Sequence, residues 1–122
     1  MKSTDVLSNF HSLQSLLDPP IDFHRSFVRL GIGITGAAML SQAIYWSKRA
    51  QDPEGWFQKS IEEWEEETGL TRREQETARQ NLKGILDTEL RGLPAKLTFR
   101  INWSVLEKSL NDSQKRNPGG EQ

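Results

Sequence analysis

The chain has no cysteine, which excludes a disulfide, a thiolate nucleophile and a zinc finger. Its two histidines, His11 and His24, stand thirteen residues apart, a poor set for a metal, and read as capping or packing residues; no cofactor is expected. A long hydrophobic run is also missing. The least polar stretch, Leu30 to Trp46, is interrupted by Gly31, Gly33, Thr35, Gly36, Ser41 and Gln42. That pattern argues against a membrane span or a secretory signal and predicts a cytoplasmic protein. Gly31-Ile-Gly33 has no preceding strand and no following GK[ST], so it is not a phosphate loop. No nucleophile is paired with a base, and the expectation is a protein that is not an enzyme. Nor is there an excess of positive charge. Sixteen Lys and Arg against seventeen Asp and Glu give a net charge of −1, and the pI near 6.1 runs against the basic footprint usual for nucleic-acid binding.

What is present suits one domain with tails: 122 residues, 34% hydrophobic and 27% charged. The charge is unevenly distributed. Residues 62–67 carry Glu62, Glu63, Glu65, Glu66 and Glu67, whereas 71–83 carry Arg72, Arg73, Arg79 and Lys83 against Glu74 and Glu76. Taking those five glutamates out of a net charge of −1 leaves +4. The acidic run reads as a solvated helix face or as a patch for a basic partner. Consecutive helical carboxylates fan out around the axis, so they do not converge on one ion.

Two capping boxes eleven residues apart, Ser60-Ile-Glu-Glu63 and Thr71-Arg-Arg-Glu74, each mark the start of a helix. The first helix is predicted from Ile61 to about Thr68, with Ile61, Trp64 and Thr68 on one face and Gly69 as its stop. The second begins at once and is predicted over 72–84, with Ala78, Leu82, Ile85, Glu74 and Gln75 on its inner side. Short helix, glycine-containing turn and second helix make a helix-turn-helix, whose second helix can enter the major groove of DNA.

Around this motif the remaining elements are predicted in order. Val6, Phe10, Leu13 and Leu17 make an amphipathic helix within residues 3–17, ending at Asp18-Pro19-Pro20, which could supply a homodimer contact. Residues 21–31 are ambiguous between helix and extended chain, with Phe23, Phe27, Val28 and Leu30 as anchors. Thr35 is the predicted N-cap of a long helix that turns Ala37, Leu40, Ile44, Ala38, Ser41 and Tyr45 inward and ends at Lys48 and Arg49. A turn over 51–55 leads to a short strand at 56–59. After the second helix of the motif the period changes to two: Leu97, Phe99, Ile101 and Trp103 alternate with Lys96, Thr98, Arg100 and Asn102, a half-buried strand with one polar face. Ile85 to Leu90 is its partner and Arg91-Gly92-Leu93-Pro94 the turn, so a hairpin, or wing, follows the helix-turn-helix. A third capping box, Ser104-Val-Leu-Glu107, opens a short last helix, and residues 108–122 are predicted to be a polar disordered tail or linker.

Arg73, Glu76, Thr77, Gln80 and Lys83 fall on the outer side of the second helix, flanked by Arg72 and Arg79. Arginine can fork onto guanine and glutamine can pair with adenine, so Arg73 and Gln80 are the expected base readers. Arg72, Arg79 and Lys83 are expected on phosphates, and Arg91 at the hairpin tip, Lys96 and Arg100 on phosphates or in the minor groove beside the helix; the rival reading of these three is solubilising charge on an edge hairpin. The rival reading is an ordinary solvated helix face with Glu76 paired to Arg72, Arg73 or Lys83. Four tryptophans could form a stacking platform for single strands. Burial explains them instead, with Trp64 and Trp103 on core faces and Trp46 and Trp56 beside apolar runs.

Taken in order, MLSQAIYW, GWF, KSIEEWEEETGLTRREQETARQNLKGIL and RGLPAKLTFRIN resemble the winged-helix domain of phage and plasmid replication proteins and related prophage-encoded DNA-binding proteins. The resemblance covers about residues 21–107, leaving 1–20 as the N-terminal helix and linker. It implies a mainly α fold with a small β-sheet (α+β), a winged helix-turn-helix, and double-stranded DNA as the partner. It also implies that host replication proteins are engaged by whatever follows the domain, and it gives no reason to expect a membrane. Two other uses stay open: transcriptional regulation on the same fold, and a protein-interaction module built on the acidic helix 61–68.

Overall fold

Two of the three predicted capping boxes, those of the helix-turn-helix, close in the computed structural model. Ser60 Oγ accepts from the Glu63 amide at 3.0 Å while the Glu63 carboxylate accepts from the Ser60 amide at 2.9 Å. Thr71 and Glu74 repeat the exchange at 3.2 and 2.9 Å. Each box satisfies two backbone donors that a helix start would otherwise strand. The structure describes residues 24–116, preceded by Asn9, Ser12, Leu13, Leu16 and Leu17. Most of the expected amphipathic helix at 3–17, and Phe23, lie outside the described residues; Leu13, Leu16 and Leu17 are exposed.

The elements run α1 (Arg25–Phe27), a segment kinked at Gly31 (Val28–Ile32), α2 (Gly33–Ser47), β1 (Phe57–Gln58), α3 (Ile61–Thr68), α4 (Arg72–Asn81), β2 (Leu86–Arg91), β3 (Lys96–Ile101) and α5 (Trp103–Arg116). The strands form one antiparallel sheet in the order β1-β3-β2, so the fold is α+β, as expected. Phe57 pairs with Phe99, and Leu86 and Arg91 pair with Ile101 and Lys96.

The core lies between α2, α3, α4 and the sheet. Ala37, Met39, Leu40 and Ala43 of α2, Trp64 of α3, Ala78 and Leu82 at and after α4, and Phe99 of β3 are fully buried. Trp64 meets Phe99 edge-on with ring centroids 5.2 Å apart, and Phe57 lies 5.8 Å from Phe99, so three aromatic rings join helix to sheet. By length and composition Arg25–Ser47 could cross a membrane, but here it supplies the central helix of this core.

Several local expectations are corrected. Of the ambiguous residues 21–31, positions 21–23 lie outside the described residues, and the chain is helical from Arg25 as far as the bend at Gly31, with Phe27 buried and Val28 and Leu30 packed on the core. Thr35 does not cap α2. Gly31 and Gly33 take positive φ (81° and 76°), a bend that other residues resist, and the helix begins at Gly33. The Asn81 side chain then donates to the Ile32 carbonyl at this bend. Tyr45, expected inward, is exposed beneath the Arg49 guanidinium, 3.7 Å from its ring. The third capping box does not form. Asn102, one residue before the helix, accepts from the Val105 amide at 3.2 Å and from the Ser104 hydroxyl at 3.0 Å, so α5 begins at Trp103. Trp103 is therefore 51% exposed rather than in the core. The last helix is not short, because Leu106, Leu110 and Ser113 make one helical stripe and Ser113 donates to the Arg29 carbonyl. Residues 108–116 of the expected tail are thus helix, and 117–122 lie outside the described residues. Thr98 is buried, contrary to a fully polar outer face, because β3 is the central strand and its hydroxyl bonds the Glu89 carbonyl.

Candidate functional site

The turn between α3 and α4 is fixed from inside by Gln75. Fully buried, it donates through Nε2 to the carbonyls of Ile61 and Leu70, both at 3.0 Å, while Gly69 (φ 79°) reverses the chain. Ala78, with no side chain beyond Cβ, lets α4 lie close to α2. The opposite side of α4 is then dictated: Arg72, Arg73, Glu76, Thr77 and Gln80 are exposed, as is Lys83 just beyond the helix. Glu74, expected on the inner side, is exposed because its carboxylate reaches back to the Thr71 amide.

Arg79 is half-buried, and its Nη1 is enclosed without a hydrogen-bond partner. It lines an open groove of about 670 Å³ between α4 and β2, with Glu76, Gln80, Lys83, Asp87 and Thr88. Among the described residues, Arg72, Arg73, Arg79 and Lys83 make no salt bridge. The expected rival pairing of Glu76 with Arg72, Arg73 or Lys83 is absent among them too. Four cations on or just beyond a short helix are therefore without an ion-pair partner among the described residues.

The hairpin differs from expectation. Arg91 is not at the tip but ends β2, 3.3 Å from Glu89, and its guanidinium lies 4.7 Å over the Trp56 ring. Arg100 stacks on the same ring at 4.6 Å, with Asp87 at 3.2 Å and Glu54 at 3.7 Å. Both arginines thus cover Trp56, which is only 8% exposed. The tip is residues 92–95, where Gly92 takes a φ of 90° and Leu93 is fully exposed. Of the three cations expected to serve the hairpin's contacts, Lys96 is exposed and makes no salt bridge among the described residues.

The acidic run also divides. Glu62, Glu63, Glu65 and Glu66 are exposed on α3, but Glu67 turns inward and accepts from Lys59 Nζ at 2.7 Å, Trp46 Nε1 at 2.7 Å and Gln42 Nε2 at 2.9 Å. Lys59 is buried, with its ammonium 4.1 Å over the Trp46 ring. Burial disfavours the charged carboxylate, yet the three hydrogen bonds and the Lys59 charge outweigh it and hold the Glu67 carboxyl below its ordinary value. Sequence reasoning missed this network, and it had no signal to use: its members are split among α2, the end of β1 and α3.

No known family model, curated protein or solved structure matches the chain.

Proposed function

We propose that the chain is a winged-helix protein that binds double-stranded DNA, with α4 as the recognition helix and β2–β3 as the wing. One observation carries the reading: Arg72, Arg73, Arg79 and Lys83, on or just beyond one short helix, have no acidic partner among the described residues. Cations that stay unneutralised in the free protein match a polyanion, and a helix packed through alanine can lie in the major groove. Arg73 and Gln80 are the base readers, and Arg72, Arg79 and Lys83 hold phosphates. The unpartnered Arg79 Nη1 gains an acceptor when it turns toward a phosphate. In the wing, Lys96 takes the phosphate contact, and Arg100 is a structural residue that pairs with Asp87 and covers Trp56.

The sequence resemblance assigns this binding to the origin repeats of phage or plasmid replicons, with host replication proteins as further partners. A transcriptional role would use the same groove contacts. The test is fluorescence anisotropy on duplex and single-stranded DNA across a salt series. Tighter duplex binding is expected, with log affinity falling by roughly 0.9 per phosphate contacted for each decade of salt. Charge reversal of Arg73 together with Arg79 should abolish it. Unchanged affinity in that double variant removes α4 from the mechanism.

A further inference from the structure

The exposed side of α4 carries a carboxylate that nothing engages. Glu74 is used in the capping box, and Asp87 across the groove holds Arg100. The Glu76 side chain makes no hydrogen bond or salt bridge among the described residues, although Arg72, Arg73, Arg79 and Gln80 stand three or four positions away, where helical neighbours meet. It lines the groove between α4 and β2.

We propose that Glu76 is a specificity-determining residue that selects cytosine in the duplex bound by α4. This rests on the duplex-binding reading above. An acid among phosphate-seeking cations is repelled by DNA unless a donor meets it, and base edges in the major groove offer two donors, the N4 amino group of cytosine and the N6 amino group of adenine. A carboxylate only accepts. At adenine it would face the N7 lone pair beside the amino group, whereas cytosine presents its amino group without an adjacent acceptor on the same base. Gln80, one turn further along and also on the groove, both donates and accepts, which suits adenine. Four residues of helix rise about 6 Å, close to two base steps of about 3.4 Å. The two side chains therefore address positions roughly two base pairs apart, and Glu76 penalises every other base at its own position by leaving its charge unmet.

The experiment is selection from a randomised duplex library with the wild-type chain, Glu76→Gln and Glu76→Ala, followed by anisotropy on the selected sites and on a non-specific duplex. The wild type should enrich a motif with a fixed cytosine. Glu76→Gln should replace it by adenine and lose about tenfold in affinity for the wild-type site. Glu76→Ala should relax that position alone while binding the non-specific duplex more tightly, because a negative charge has gone. Retention of the same cytosine by both variants, or a wild-type motif without one, overturns the assignment of Glu76 and leaves duplex binding standing. No enrichment and no anisotropy change at low salt with any of the three chains overturns the duplex-binding reading itself, and this inference with it.

Discussion

Glu67 shows how far one side chain can depart from the character of its neighbours. Four glutamates beside it are exposed, and it alone takes three hydrogen bonds, one from the buried Lys59 ammonium. Removing one member of a buried ion pair strands the other, so Glu67→Ala should destabilise the fold by about 3 kcal/mol in a denaturant titration. The double variant Lys59→Met with Glu67→Leu should recover most of that loss, since an apolar pair leaves no stranded charge. The same residue sets an acid sensitivity. Its carboxyl is held below the ordinary value of 4.5, so its stabilisation is fully present above that value and is lost as the pH falls through the lowered folded value. Melting curves from about pH 6 to pH 3 should show this loss in the wild type and a flatter profile in Glu67→Gln. An identical slope in both would mean that other carboxylates govern acid unfolding.

The helix starts are the elements most open to local test. Ser60→Ala and Thr71→Ala should each destabilise by about 1 kcal/mol, measured by thermal melting, because each leaves an amide of the first helical turn without its acceptor. Those two starts were legible in the sequence because a capping box is complete within four residues. So were the sheet residues Phe99 and Ile101, whose alternation needs no partner to be read. What failed depended on competition or on distance. Ser104-x-x-Glu107 matched a capping box, but Asn102 two residues earlier took the role. Thr35 looked like a cap, but the bend at Gly31 and Gly33 had already started the helix. The six exposed or flanking polar residues of α4 and Lys83 were placed correctly by the helical period alone. Arg91 and Arg100 were not, because their partners Trp56, Glu54 and Asp87 are set by strand register and by a loop 46 residues before Arg100.

For the whole molecule, a net charge of −1 conceals two separate fields, four exposed carboxylates on α3 and four unpaired cations on or next to α4. Under the proposed duplex binding, association should follow the second field, and its salt dependence should count the cations that are free. Lys96→Ala is expected to lower the slope of log affinity against log salt by about one. Arg100→Ala, whose charge is already paired, should leave that slope unchanged while lowering the melting temperature. Equal slope changes in the two would mean that Arg100 leaves Trp56 on binding. The Glu67 network binds this larger body together, since it joins α2, the end of β1 and α3 at one carboxylate. In heredity, the contacts among positions 42, 46, 59 and 67 tie their fates together: lineages that lose the acid at 67 should have lost the lysine at 59 in the same step or soon after.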